Sequence, residues 1–206
     1  MESTRFNEIR ERLLRAEREF AQAIEARLRD NRQRFQYSVD AERIRFEQGV
    51  KALHRKGRQG VVAYIRGAPL GYILSAPVTY GLIVPIVLLD IAITLYQRVC
   101  FPVYGIERVR RGNYLVFDRR HLAYLNAVEK LNCMYCSYGN GVIAYAREVA
   151  ARTEQFWCPI KHAVAVRGAH ARSRDYLEYG DAQAWHEELE RVREQLAASA
   201  TLQDEP

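Results

Sequence analysis

One nearly uncharged stretch constrains this chain more than any other feature of it. Across residues 72–96, from Tyr72 to Tyr96, 18 of 25 side chains are hydrophobic and Asp90 carries the single charge, whereas the sequence on either side is dense in charge. A straight helix of that length spans about 37 Å, against about 30 Å for the apolar core of a bilayer, so the stretch predicts one tilted membrane helix. Pro77 and Pro85 lie inside it. Each removes a backbone donor, so the helix is expected to kink. Two topologies follow: a single kinked span, favoured because the run is too short for two crossings, or a re-entrant bend that returns to its starting side. The flanks do not choose a direction, because four Lys/Arg precede the run within 20 residues (Arg55, Lys56, Arg58, Arg66) and four follow it (Arg98, Arg108, Arg110, Arg111). That tie leans toward the re-entrant form with both flanks cytoplasmic. Asp90 lies about 9 Å from the end of the run by helix rise and is expected to snorkel to the interface.

The formal charge of the 206 residues is +6, and it sits in the first third: residues 1–66 hold 16 Lys/Arg against 10 Asp/Glu. A basic arm just before a membrane segment is drawn to anionic lipid, each basic group near the surface adding about 1 kcal/mol. Arg alternates with Glu in this arm, which argues against nucleic acid as the partner. The N-terminus is charged and lacks the apolar core of a secretory signal, so insertion is expected to rely on the internal segment. Four irregularly spaced cysteines then read as thiols in a reducing compartment.

The whole reads as a mainly α chain. Residues 1–58 predict a charged amphipathic helix, with Phe6, Ile9, Leu13, Phe20, Ile24, Leu28 and Phe35 recurring at three- and four-residue steps and Glu8/Arg12, Glu11/Arg15 and Glu25/Arg29 at i,i+4. The helix proper is placed at residues 3–56. Its narrow stripe points to self-association as a coiled coil, hence a homo-oligomer. Residues 59–71, punctuated by Gly60, Gly67, Pro69 and Gly71, predict a flexible linker, and residues 72–96 the membrane segment. Residues 97–198 predict a helical domain. In it, Asn113 to Phe117 suggests a short strand, Asp118 caps a helix through Asn132, and Asn140 caps a second helix with Val142, Tyr145, Val149, Thr153 and Phe156 on one stripe. Residues 137–141 form the turn of this hairpin. A last helix from about Asp181 to Ala198 turns Trp185, Leu189, Val192 and Leu196 inward, and residues 199–206 form a disordered tail.

Cys133-x2-Cys136 has the spacing at which two thiolates grip one metal ion, and Cys158-x3-His162 supplies a second pair. Pro159 could open a helix with Cys158 at its N-cap, which favours the thiolate. Three thiolates and an imidazole suit zinc, with an iron–sulfur cluster as the alternative. An unbroken helix between the two pairs would hold them apart. In the hairpin, His121 is the residue brought toward Cys158 and His162, which permits a His121/Cys158/His162 cluster and leaves Cys133 and Cys136 as a redox dithiol. His54, His170 and His186 have no partners at motif spacing and read as surface residues. Phosphate-loop, nucleophile-elbow and Glu-x2-His patterns are missing, so the residues identify no small-molecule substrate and incline to a non-enzyme.

Four strings, Pro77-Val-Thr-Tyr-Gly81, Cys100-Phe-Pro-Val-Tyr-Gly105, Tyr135-Cys-Ser-Tyr-Gly-Asn-Gly141 and Arg152-Thr-Glu-Gln-Phe-Trp-Cys-Pro-Ile-Lys-His162, make residues 70–180 resemble a family of uncharacterised bacterial membrane proteins. The resemblance implies attachment to the bacterial inner membrane and no particular activity. The expectation from sequence is therefore a protein of the inner membrane with its Cys/His domain on the cytoplasmic side. Its role is structural or regulatory, around a zinc site of Cys133, Cys136, Cys158 and His162. The competing class is a membrane redox protein.

Overall fold

The computed structural model describes residues 2–40, 43–46 and 49–202, and it is mainly α-helical. Its contacts divide the chain into two compact units, Met1–Tyr64 with Asp118–Ala127, and Ile65–Phe117 with Val128–Pro206.

In the first unit, α1 runs Glu2–Arg34 and carries the expected i,i+4 pairs Glu8–Arg12 at 2.8 Å and Glu25–Arg29 at 3.3 Å. It does not reach residue 56. Gln36 turns the chain with a left-handed φ of 52°, and beyond it the apolar side chains alternate with period two, which is strand spacing. An antiparallel hairpin follows, β1 (Tyr37–Asp40) against β2 (Arg43–Phe46), in the register Tyr37↔Phe46 to Asp40↔Arg43. The rings of Tyr37 and Phe46 meet across it at 5.7 Å. Helix α2 (Val50–Lys56) adds His54, whose ring lies edge-on between Phe46 and Tyr124, each 5.3 Å away. His54 thus sits in an aromatic stack rather than on the open surface. The expected flexible linker contains a helix, α3 (Val61–Gly67).

The second unit is built on α4 (Leu70–Gly81) and α5 (Ile83–Tyr104), together one bent 35-residue helix, Leu70–Tyr104, long and apolar enough to cross a membrane. The bend falls at Leu82. Pro85 has no N–H to offer the Gly81 carbonyl and its ring crowds that carbonyl, so the ladder breaks one turn before the proline. Gly105, at φ 67°, closes α5 with a left-handed residue. The chain then doubles back along α5 as an irregular strap that reaches Phe117, with a single 3-10 turn at Arg111–Asn113 and no strand at Asn113 to Phe117, where one was expected.

The largest difference from the sequence reading is α6, which is one continuous helix, Ala127–Trp157. No helix starts at Asp118, where a short 3-10 turn (Asp118–His121) stands instead, and no turn interrupts residues 137–141. Glycine clusters signal turns because they relieve backbone restriction, yet here Gly139 and Gly141 are buried and serve close packing. A Cβ on Gly141 would lie 2.5 Å from the Tyr114 carbonyl oxygen, and one on Gly139 would lie 3.3 Å from Ile86 Cδ1. Asn140, expected as an N-cap, donates instead to the Cys136 carbonyl one turn back at 2.9 Å.

The inward stripe of α6 is as predicted, with Val142, Tyr145 and Val149 buried. Tyr145 and Val149 pack with Phe101 of α5, Ile106 and Val109 of the strap, and Leu196 of the last helix, α7 (Ala182–Leu202). Asp181 caps α7 by accepting from the Ala184 N–H at 2.9 Å. The helix continues through Leu202, where a tail was expected, and residues 203–206 lie outside the described residues.

Candidate functional site

The face that α5 turns toward the protein carries two buried polar residues, Asp90 and Gln97, beside Phe101. Asp90, expected to snorkel, is instead buried and held by three hydrogen bonds from two residues. Arg111 of the strap donates twice, Nε to Oδ1 at 2.9 Å and Nη2 to Oδ2 at 2.6 Å, and the Tyr138 hydroxyl of α6 donates to Oδ2 at 2.8 Å. Two helical turns on, Gln97 Nε2 donates to the Val109 carbonyl at 3.3 Å while its Oε1 accepts from the Val109 N–H at 2.9 Å, and Nε2 also donates to the Tyr145 hydroxyl. Asp90 and Gln97 are seven residues apart, which places both on one helix face. Near the bend, Tyr80 donates to Asn132 and Tyr135 donates to the Thr79 carbonyl at 2.5 Å. An apolar cleft of about 310 Å³ lies there, between Ile83, Phe117 and Met134.

The opposite face of α5 is apolar and open. Leu88, Ile91, Leu95 and Val99 recur at three- and four-residue steps and are each about 60% exposed. In α4, Leu70, Tyr72, Leu74 and Val78 are exposed at about 70% on several sides of the helix. This inverts the order of a water-soluble helix, which buries its apolar stripe.

A second charged cluster joins α6 to the segment before α7. Glu148 Oε1 accepts from Arg152 Nε at 3.0 Å and from Arg172 Nη2 at 2.7 Å, Arg152 Nη1 donates to the Glu107 carbonyl at 2.8 Å, and Arg172 Nη1 donates to Gln155 Oε1 at 3.1 Å. Burial pushes the Glu148 carboxyl up, but the hydrogen bonds from Arg172 and Arg152 outweigh it and hold the group below the usual glutamate range. His170 Nε2 pairs with Glu154 Oε2 at 2.7 Å, so His170 is not a free surface residue either. Tyr176, buried beside Glu154, has its phenol pushed up by burial first and that charge second. The rings of Tyr104, Phe156 and Trp157 meet at 5.2–5.3 Å, the first two stacked and Trp157 edge-on to both, at the margin of the core.

The predicted metal ligands do not come together. Cys133 and Cys136 both lie within α6, and Cys158 lies one residue past its end, its N–H closing on the Glu154 carbonyl at 2.8 Å. Along an unbroken helix Cys136 and Cys158 are about 33 Å apart, and His162, four residues further, can reach back no more than about 14 Å. Cys158 is not an N-cap. After Pro159 the chain is extended, and Ile160 bridges to Leu177. His121 belongs to the first unit, beside Arg120 at 3.3 Å. Among the described residues no group of three or more His, Cys, Asp or Glu side chains could hold a metal ion. An i,i+3 pair in a helix also keeps its Cβ atoms about 5–6 Å apart, beyond the roughly 3.5–4.5 Å of a disulfide, so the Cys133/Cys136 pair would have to unwind α6 to oxidise. The purified full chain is accordingly expected to carry substoichiometric zinc and iron by elemental analysis, and Cys158→Ala to leave both metal content and melting temperature unchanged. One bound metal per chain with loss of stability in that variant would overturn this reading.

Gln97 and Arg172 were not singled out from the sequence, and Arg111 was read only as one of the basic residues flanking the apolar run. A lone charge in an apolar run is a signal that a partner exists, but Arg111 lies 21 residues from Asp90 and only the returning strap brings it there. No family model matches the chain, and neither a curated protein nor a solved structure does.

Proposed function

We propose that this is a membrane-anchored bacterial protein with a structural or regulatory role, held at the cytoplasmic membrane by α4–α5 and self-associating through α1. One observation carries the reading. In the apolar 18-residue window of Leu70–Tyr104 only 6% of the residues are buried inside the protein, while the same helix buries its polar residues Asp90 and Gln97. Water gives no reason for that arrangement, and hydrocarbon does. The exposed stripe of Leu13, Phe20, Ile24 and Leu28 along α1, set among charges, supports the self-association. The paired and saturated charges of the second unit support a framework role over a catalytic one.

The test is fractionation of the full chain. The expected result is pelleting with membranes, release by detergent but not by high salt, and flotation with anionic vesicles. Removing residues 2–34 is expected to leave flotation intact and to lower the mass of the detergent-solubilised particle. A monodisperse, detergent-free protein in the soluble fraction would sink the reading, and an unchanged particle mass would remove α1 from it.

A further inference from the structure

We infer that Leu70–Tyr104 does not cross the bilayer but lies along one face of it, as an interfacial helix whose two flanking parts of the chain stay on the same side. The inference rests on the membrane reading above and concerns how that attachment is made. A crossing needs about 20 consecutive residues free of charged company, or about 30 Å.

The neighbours of α5 deny it that length. Helix α6 runs parallel to α5 for its whole course. Tyr80 meets Asn132, Asp90 meets Tyr138, Thr94 meets Tyr145 at 3.4 Å, Tyr96 meets Thr153 at 3.2 Å and Tyr104 meets Phe156. Were residues 70–89 to cross, the contacts of Thr79 and Tyr80 with Tyr135 and Asn132 would bring the first turn of α6, with Glu129 and Lys130, to the bilayer centre. Were residues 85–104 to cross, Arg111 would enter with Asp90, and the Arg147, Glu148 and Arg152 portion of α6 would follow. Each ionised group at the centre of a bilayer costs several kcal/mol. What remains free of such neighbours is residues 70–78, about 13 Å of helix, less than half of the hydrocarbon thickness.

An in-plane placement satisfies every one of these groups. The stripe of Leu88, Ile91, Leu95 and Val99 then faces acyl chains, α4 lies among them at the headgroup boundary, and Asp90 and Gln97 stay on the protein side. Arg98, exposed between Leu95 and Val99, and Arg108 reach anionic headgroups. The equal count of basic residues before and after the segment gives a single crossing no preferred direction and accords with a same-side arrangement.

The experiment places one epitope tag at each end of the full chain and exposes right-side-out spheroplasts and inside-out membrane vesicles to protease. Both tags are expected to be lost in the same one of the two preparations and retained in the other. Loss of one tag in each preparation would overturn the inference while leaving membrane attachment standing. A protein absent from both membrane preparations would overturn the attachment itself, and this placement with it. As a second readout, Leu88→Glu and Leu95→Glu together are expected to shift the protein from vesicles to the soluble fraction with its helix content unchanged. Unchanged flotation of that variant would also count against the in-plane face.

Discussion

Replacing Glu148 with alanine is expected to lower folding stability by about 3 kcal/mol, a fall in melting temperature of about 6–12 °C for a chain of this size. The carboxylate faces two guanidiniums whose side chains are only 7% and 12% exposed, those of Arg152 and Arg172. Removing it leaves both positive charges in a low-dielectric site with each other and without that counter-charge, and this repulsion, more than the lost hydrogen bonds, sets the size of the effect. The Glu107 carbonyl and Gln155 Oε1 still accept from them, which keeps the loss at the lower end for a broken buried pair. Denaturant unfolding of the detergent-solubilised protein measures it, and a change below about 0.5 kcal/mol would show the cluster to be solvated.

The same cluster gives an acid dependence whose sign can be worked out. Glu148 in the folded state titrates below its ordinary value of 4.5, so between the two values the unfolded chain binds more protons and stability rises with pH. The contribution is fully present above pH 4.5 and is lost as the pH falls through the folded-state value. Glu148→Gln should flatten this part of the pH–stability curve below the ordinary glutamate value.

Gly141→Ala is expected to destabilise by about 2 kcal/mol, whereas Gly139→Ala, two residues away on the same helix, is expected to be neutral or stabilising. Both changes gain about 1 kcal/mol of intrinsic helix preference. They differ in what the new methyl meets. At Gly141 it is the Tyr114 backbone oxygen at 2.5 Å with Leu115 Cγ at 3.2 Å, and a strap pinned by Arg111 and Val109 cannot step aside. At Gly139 it is the end of the Ile86 side chain at 3.3 Å, which can turn away. Equal melting temperatures for the two variants would show that the strap does not press on α6.

These predictions fall on residues of unequal legibility. The apolar stretch around Tyr72, Pro77, Pro85 and Tyr96, the inward stripe of α6 and the Asp181 cap of α7 were readable because each is a local matter of spacing, proline chemistry or one side chain meeting a nearby N–H. The end of α1 at Arg34 was readable too, in the alternation of Tyr37, Val39, Ile44 and Phe46, although continued charge patterning masked it. The turn expected at residues 137–141 failed because glycine has two uses, and sequence spacing does not separate a loose backbone from a close approach.

By itself, then, the order of residues determined a mainly helical chain with one long segment apolar enough to cross a membrane, since hydrophobicity and helix period act over a few turns. Only the tertiary structure decided which way that segment faces, that Arg111 neutralises Asp90, and that Cys133 and Cys136 stand about 33 Å or more along α6 from Cys158. Each of these depends on a chain that reverses at Gly105 and on a helix that does not break at Gly139, and such contacts between residues 20 or more apart are set by packing, which no local pattern encodes.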